Sequence, residues 1–91
     1  MYRIIDTRGT GKTSRLMLIA KENNAIFVCK NPTSMRERAY SYGITGITFI
    51  SYKDLMNDPA MAAKEKLVID DLESFFCYLF PSTIGFTLSE D

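Results

Sequence analysis

The feature that most constrains the fold is a glycine-rich loop between a short apolar run and a helix-forming segment. Residues 6–13 read Asp-Thr-Arg-Gly-Thr-Gly-Lys-Thr, and they follow the apolar run at residues 2–5. A loop of this composition turns its backbone N–H groups toward one point, where the N-terminus of the next helix adds partial positive charge. We therefore predict a β-strand at 2–5, a helix over 11–22 and an anion-binding turn between them.

The side chains of the loop predict which anion is bound. The Lys12 ammonium would reach the β- and γ-phosphates of a nucleotide, and the Thr13 hydroxyl would be a ligand of Mg²⁺. The first glycine of the pattern G-x-x-x-x-G-K-[ST] is replaced by Asp6, whose carboxylate weakens anion binding unless it points away. The residues expected to bind the nucleotide are Arg8, Gly9, Thr10, Gly11, Lys12, Thr13 and Ser14.

A second apolar run ends in two acids. Residues 66–69 read Lys-Leu-Val-Ile, and Asp70 and Asp71 follow them. A buried parallel strand delivers such acids to the carboxyl edge of its sheet, where a phosphate loop also lies. We predict that Asp70 and Thr13 hold Mg²⁺ and that Asp71 is the catalytic base for water. The alternative for Asp71 is a helix N-cap, because acids favour helix N-termini.

The rest of the chain alternates short apolar runs with helical segments. Asn31, Ser51 and Asp58 are predicted helix N-caps. Further strands are predicted at 25–29, 47–50, 67–69 and 83–88, and further helices at 32–42, 52–56, 60–64 and 72–80. Such alternation is typical of βαβ units. We expect one α/β domain over residues 1–91, with three layers, a mostly parallel sheet of about five strands and helices on both faces.

The phosphate loop, the acidic strand and the alternating pattern together resemble the P-loop NTPases, over nearly the whole chain. Residues 8–13 are most similar in style to the loops of viral DNA-packaging (terminase-like) and helicase-like ATPases, in which an arginine often precedes the glycine. The resemblance implies that the nucleotide is ATP and that Lys12, Asp71 and Arg8 are catalytic, with Arg8 contacting phosphate. It also implies a polar sensor at Ser89.

Together with this resemblance, the residues predict a domain that hydrolyses ATP with Mg²⁺ by in-line attack of water. The small size of the core implies either a minimal phage- or mobile-element-type protein or a fragment of a longer chain. Asp6 in the loop and Asp71 in place of a longer glutamate keep a second hypothesis open, in which the domain binds nucleotide without turnover and serves regulation or assembly. A nucleotide kinase is disfavoured, because the sequence carries no arginine-rich lid. Arg36 and Arg38 are expected on a solvated face, the alternative being a contact to a neighbouring subunit's nucleotide.

Composition limits the partners and the compartment. Eleven basic and eleven acidic residues cancel, so nucleic-acid binding would need a local patch such as Lys30 and Lys53. The two cysteines, in a chain without histidine, offer no zinc site. The sequence also lacks a secretion signal and an apolar run long enough to span a membrane. We therefore expect no membrane partner and a cytoplasmic location, which would be the host cytoplasm if the protein is virus-encoded. An apolar stripe predicts an interface to a second copy or another protein: Phe75, Phe76, Leu79 and Phe80.

Overall fold

Helices and strands alternate through residues 11–87, the part of the chain described in this computed structural model. The elements are α1 (Lys12–Asn23), β1 (Ile26–Cys29), α2 (Pro32–Ser41), β2 (Phe49–Ser51), α3 (Tyr52–Met56), α4 (Pro59–Lys64), β3 (Leu67–Ile69) and α5 (Leu72–Leu79). The three strands form one parallel sheet. The described chain is thus a small α/β domain, as the alternating pattern predicts.

β1 lies at the centre of the sheet, in the order β2-β1-β3. Phe27 pairs with Phe49 of β2 on one side and with Val68 of β3 on the other. The chain therefore passes from β1 to one edge of the sheet and then across to the opposite edge. Because all three strands are parallel, their carboxyl ends meet along the same edge, and the residues that follow them lie close together.

Two buried clusters show that helices cover both faces of the sheet. On one face α1 and α2 pack against the strands, around a core of Met17, Ala20, Ala25, Phe27, Cys29, Met35, Ala39 and Phe49. On the other face Val28 packs with Tyr52 and Leu55 of α3. This division follows from the two-residue period of a strand, which points Phe27 and Cys29 to one side and Val28 to the other. The domain has three layers.

Side-chain caps set the start of four of the five described helices. Each N-cap oxygen accepts a hydrogen bond from the backbone N–H three residues later: Asn31 from Ser34 (3.1 Å), Ser51 from Asp54 (3.0 Å), Asp58 from Met61 (3.1 Å) and Asp71 from Ser74 (3.2 Å). The first three caps are confirmed as predicted from sequence. α1 differs, because its N-cap residue is Gly11.

The prediction of about five strands is wrong for the described residues, which hold three. Residues 83–87, most of the predicted fifth strand, form no strand, and Leu88 lies outside the described range. A strand needs a neighbour for its backbone groups, whereas the Thr83 N–H donates to the Phe80 carbonyl in a turn (3.1 Å) and Ile84 is fully exposed. The predicted strand at 2–5 also lies outside the described residues.

The apolar stripe of α5 is divided between core and surface. Phe75 packs beside Tyr52, with ring centroids 5.0 Å apart. Phe76 stacks with Phe80 (5.4 Å) and with Phe86 (6.0 Å), and these three rings are 37–57% exposed. The predicted interface is therefore reduced to Phe76 and Phe80, and a partner for it stays a prediction. Within residues 11–87, no helix has the length and apolar character needed to cross a bilayer.

Candidate functional site

The predicted phosphate-binding residues and the predicted metal-binding acid come together at the carboxyl edge of the sheet. Asp70 directly follows β3, and its N–H donates to the Val28 carbonyl of β1 (2.9 Å). The Thr13 side chain lies near the Asp70 carboxylate, where hydrogen bonding to it lowers the pKa of Asp70. The Lys12 ammonium is close enough to favour the charged form of the same carboxylate. Three residues from opposite ends of the chain therefore share one site.

Packing of α1 on the sheet explains why its first turn lies beside Asp70. Met17 and Ala20 are fully buried, and α1 contacts both β1 and β3. Thr13 lies four residues before Met17 and so on the same side of the helix. The helix therefore carries the Thr13 hydroxyl over the end of β3, where the Asp70 carboxylate begins.

Gly11 gives α1 a start without a side-chain cap. Its backbone is left-handed, with φ 76° and ψ 19°, and its carbonyl accepts from the Arg15 N–H (3.1 Å) and the Ser14 hydroxyl (2.9 Å). The first turn of an α-helix has no acceptors for its N–H groups inside the helix. Since Gly11 offers no side chain to cap them, these groups are directed toward the region beside Lys12 and Thr13.

Substituting Gly11 with alanine should lower the free energy of unfolding by about 1 kcal/mol, because a Cβ is disfavoured at positive φ. Crowding contributes little, since the new Cβ would lie 3.5 Å from the Ser14 hydroxyl oxygen. Gly85→Ala is the matched control, because Gly85 has open space and no positive φ. Urea unfolding compares the two variants, and an equal loss in both would contradict this explanation.

The pKa of Asp70 is raised by the burial of its carboxyl group and by a neighbouring negative charge. Burial is the largest cause and the neighbouring Asp71 carboxylate is the next, while Arg38, Lys12 and the Thr13 hydrogen bond lower the pKa and offset part of the shift. The charged carboxylate is therefore held partly out of water and beside another acid. A cation placed at Asp70 would relieve both costs.

Asp71 is the N-cap of α5. Its two carboxylate oxygens accept hydrogen bonds from the Ser74 N–H (3.2 Å) and the Ser74 hydroxyl (2.6 Å). The capping role, which was the alternative at this position, is present in the structure. The same carboxylate is exposed, and its role as a catalytic base stays a prediction.

Tyr52 is a site residue that the sequence did not predict. It is 4% exposed, and its hydroxyl donates to the carbonyls of Asp70 (2.9 Å) and Asp71 (3.3 Å). Burial, followed by the charges of Asp71, Asp70 and Cys29, raises the pKa of Tyr52 to about 12. The one available signal was position: an aromatic residue directly after a strand of a parallel sheet lies at the edge where the acids lie.

Arg38 of α2 also faces the site. Its guanidinium donates to the Tyr42 hydroxyl (3.3 Å) and favours the charged form of Asp70. Met35 and Ala39 of the same helix are buried against the sheet, whereas Arg36 borders a groove of about 220 Å³ beside residues 44–47. Because residues 36 and 38 lie on opposite flanks of the buried stripe, Arg38 is on the flank away from that groove.

Oxygen ligands at this site fit Mg²⁺. In the described part of the chain no three His, Cys, Asp or Glu side chains cluster, so the protein would supply Thr13 and Asp70. Mg²⁺ commonly takes one or two protein ligands and completes its shell with water and phosphate oxygens. Lys30 and Lys53, the two lysines that a nucleic-acid contact would need, are exposed just after β1 and β2.

The predicted ligands Arg8, Gly9 and Thr10 lie outside the described residues, as do Asp6 and Ser89. The described part of the predicted nucleotide-binding segment is therefore its last four residues, 11–14.

Comparison with known proteins gives no relative from which a function could be transferred. No protein-family model, curated protein or solved structure matches the chain. The function proposed below therefore depends on the nearness of Lys12 and Thr13 to the Asp70 carboxylate.

Proposed function

We propose that this chain binds ATP with Mg²⁺ at the carboxyl edge of its sheet and hydrolyses the β–γ phosphate bond. The observation that carries the proposal is that the Thr13 side chain and the Lys12 ammonium both lie near enough to the Asp70 carboxylate to lower its pKa. A hydroxyl and a carboxylate close together offer two hard oxygen ligands for a small cation. An adjacent ammonium is suited to pair with phosphate oxygens.

Each residue would have a separate role. Lys12 would pair with phosphate oxygens and stabilise the charge that spreads over the γ-phosphoryl group as the bond to the β-phosphate breaks. Thr13 and Asp70 would hold Mg²⁺, which when bound neutralises the phosphate oxygens. The first-turn N–H groups of α1, which Gly11 leaves without a side-chain cap, would bind phosphate oxygens near the positive end of the helix dipole.

Hydrolysis also needs a group that orients the attacking water, and Asp71 is the proposed group. Its carboxylate follows Asp70 directly and is exposed. Each of its oxygens accepts one hydrogen bond from Ser74 and keeps a second lone pair that can accept from the attacking water.

The second candidate function is nucleotide binding without turnover. The two hydrogen bonds from Ser74 to Asp71 favour it, because they hold the carboxylate in the orientation of a helix cap. Phosphate release from Mg·ATP separates the candidates: turnover supports hydrolysis, and binding without turnover supports a regulatory or assembly module. Transfer of phosphate to a second nucleotide would instead indicate a kinase.

Thermal unfolding of the full chain tests the binding step. Mg·ATP at about one hundred times its Kd should stabilise the native state by about 2.7 kcal/mol, which is roughly 10–20 °C for a domain of this size. Mg·GTP in a parallel titration reports the base preference. An unchanged midpoint with both nucleotides at millimolar concentration would reject the proposed function.

Lys12→Ala should weaken Mg·ATP binding roughly 10- to 100-fold, because a hydrogen bond between two charged partners contributes about 1.5–3 kcal/mol. The measurement is a calorimetric titration with Mg·ATP. Lys21→Ala is the matched control, since it removes the same charge from the exposed last turn of the same helix. Equal affinities in the two variants would show that Lys12 does not contact the nucleotide.

A further inference from the structure

The turn that carries both acids has an unfavourable backbone conformation. Asp71 has φ 57° and ψ 72°, in the left-handed region. Among the non-glycine residues in 11–87, Asn24 is the only other one with a positive φ. Such a conformation costs about 1 kcal/mol and persists when its surroundings hold it. The Ser74 hydrogen bonds hold only the side chain of Asp71. The backbone carbonyls of Asp70 and Asp71, which lie on either side of the strained φ, need hydrogen bonds from another residue.

Tyr52 supplies that support from another part of the chain. Its hydroxyl donates to both carbonyls of the turn, at 2.9 Å to Asp70 and 3.3 Å to Asp71. The Asp70 N–H is held from the opposite direction by the Val28 carbonyl (2.9 Å). The backbone of Asp70 is therefore fixed on both sides of its Cα, which restricts where its carboxylate can lie.

The Tyr52 ring is itself buried. It is 4% exposed and contacts two rings of α5, with centroid distances of 5.0 Å to Phe75 and 5.9 Å to Tyr78. Tyr52 is also the first residue of α3, directly after β2. A side chain fixed by β2 at one edge of the sheet thus reaches the turn that follows β3 at the other edge.

We propose that Tyr52 is a positioning residue for the metal-binding acid, holding the Asp70–Asp71 turn so that the Asp70 carboxylate stays beside Thr13. This inference rests on the proposed function and deepens it. Tyr52 acts through the backbone of the turn and does not touch the nucleotide. Its contribution therefore falls on Mg²⁺ binding, while binding of nucleotide without Mg²⁺ depends on Lys12 and the start of α1.

Tyr52→Phe tests the inference, because it removes one oxygen and keeps the packed ring. The Mg²⁺ concentration that gives half of the maximal ATP-dependent thermal shift should rise about tenfold, as found when partners that orient a metal ligand are removed. ATP affinity measured in EDTA should stay unchanged. Tyr40→Phe makes the same chemical change on a side chain that is 79% exposed and should match the wild type in both measurements.

The outcomes separate this inference from the proposed function. If the wild type shows no Mg²⁺-dependent shift with ATP, both are overturned. If the wild type shows the shift and Tyr52→Phe has the same Mg²⁺ midpoint, only the role of Tyr52 is overturned. Equal losses of affinity with Mg²⁺ and in EDTA would indicate a general structural role and would also overturn it.

A second measurement uses the wild-type protein, so it tests the role of Tyr52 even if Tyr52→Phe does not fold. Coupling between two binding events is reciprocal. If the Tyr52 hydrogen bonds favour Mg²⁺ binding about tenfold, Mg·ATP must stabilise those bonds by the same factor. Exchange of the Tyr52 hydroxyl proton with solvent, followed by NMR in the wild type, should slow when Mg·ATP is added. Unchanged or faster exchange would contradict the inference.

Discussion

Replacing Asp70 with asparagine should make the unliganded protein more stable and, in the same variant, abolish the Mg²⁺-dependent part of ATP binding. The first effect follows from the raised pKa of Asp70, which shows that burial and the Asp71 charge disfavour its ionised form. The asparagine removes that charge and keeps an oxygen that can accept from Thr13. We expect a gain of at most about 1 kcal/mol, because the carboxylate is only partly withdrawn from water.

The second effect of Asp70→Asn has the opposite sign and is larger. A neutral amide oxygen is a much weaker ligand for Mg²⁺ than a carboxylate. The ATP-dependent thermal shift of the variant should therefore be the same with Mg²⁺ and with EDTA. Stability and ligand binding are expected to change in opposite directions, as is typical when a residue is kept for function at a cost to the fold.

The pH dependence of stability gives an independent check on Asp70. Because the pKa is higher in the folded protein than its ordinary value of 3.8, the native state binds the proton more tightly than the unfolded state does. The stability that this proton contributes is present at low pH and is lost as pH rises from the ordinary value through the raised one. As pH rises from 3.8 through the raised pKa of Asp70, the wild type should lose stability relative to Asp70→Asn. At higher pH the difference in unfolding free energy between the two proteins should be constant.

The control for Asp70 is Asp54→Asn, the same chemical change at an exposed acid in the first turn of α3. It should leave the Mg²⁺ dependence of the ATP-induced thermal shift unchanged. The explanation is wrong if Asp70→Asn is less stable than the wild type at neutral pH or keeps its Mg²⁺-dependent shift. Urea unfolding across the acidic range and thermal shifts at neutral pH supply the data.

Phe27→Ala should have the largest effect on stability, a loss of about 4 kcal/mol. Phe27 is fully buried in the central strand, and its ring lies 5.2 Å from that of Phe49, at an interplanar angle of 59°. The substitution removes apolar contacts and leaves a cavity that a sheet held by neighbours on both sides cannot close. Because small domains have about 5–15 kcal/mol in total, this single substitution should remove a quarter or more of the stability.

Urea unfolding of Phe27→Ala measures this loss, and Phe86→Ala is its control. Phe86 is 48% exposed beyond α5, so the same truncation there should cost less than about 1 kcal/mol. Similar losses in the two variants would mean that the first buried cluster does not dominate stability.

Local signals explain which parts of the fold were predictable. Asn31, Ser51 and Asp58 cap helices through hydrogen bonds to residues three positions away, so a short stretch of sequence contains the whole interaction. The meeting of Thr13 and Asp70 was predictable for a different reason. Parallel strands place their carboxyl ends along one edge, and a helix that packs on the sheet and leads into β1 starts at that same edge, so the element order places Thr13 near Asp70.

Features that depend on distant partners were not predictable. Residues 83–87 have a composition suited to a strand, but whether a strand forms depends on a free edge at the right place in the fold. Tyr52 bonds to carbonyls 18 and 19 residues away, which no local pattern records. At Asp71 two roles were possible, because a carboxylate after a strand can cap the next helix or orient a water molecule. The same sequence is compatible with both roles, so sequence alone could not choose between them.

The order of the strands along the chain also governs when a newly made polypeptide can use this site. Chains emerge from the ribosome beginning with the N-terminus, so β1 and β2 are available to pair before β3 has been synthesised. β3 must then dock on the opposite side of β1, bringing Asp70 to Thr13. A nascent chain therefore completes the three-stranded sheet of residues 11–87 and brings Asp70 to Thr13 in one step, after residue 70 has left the exit tunnel.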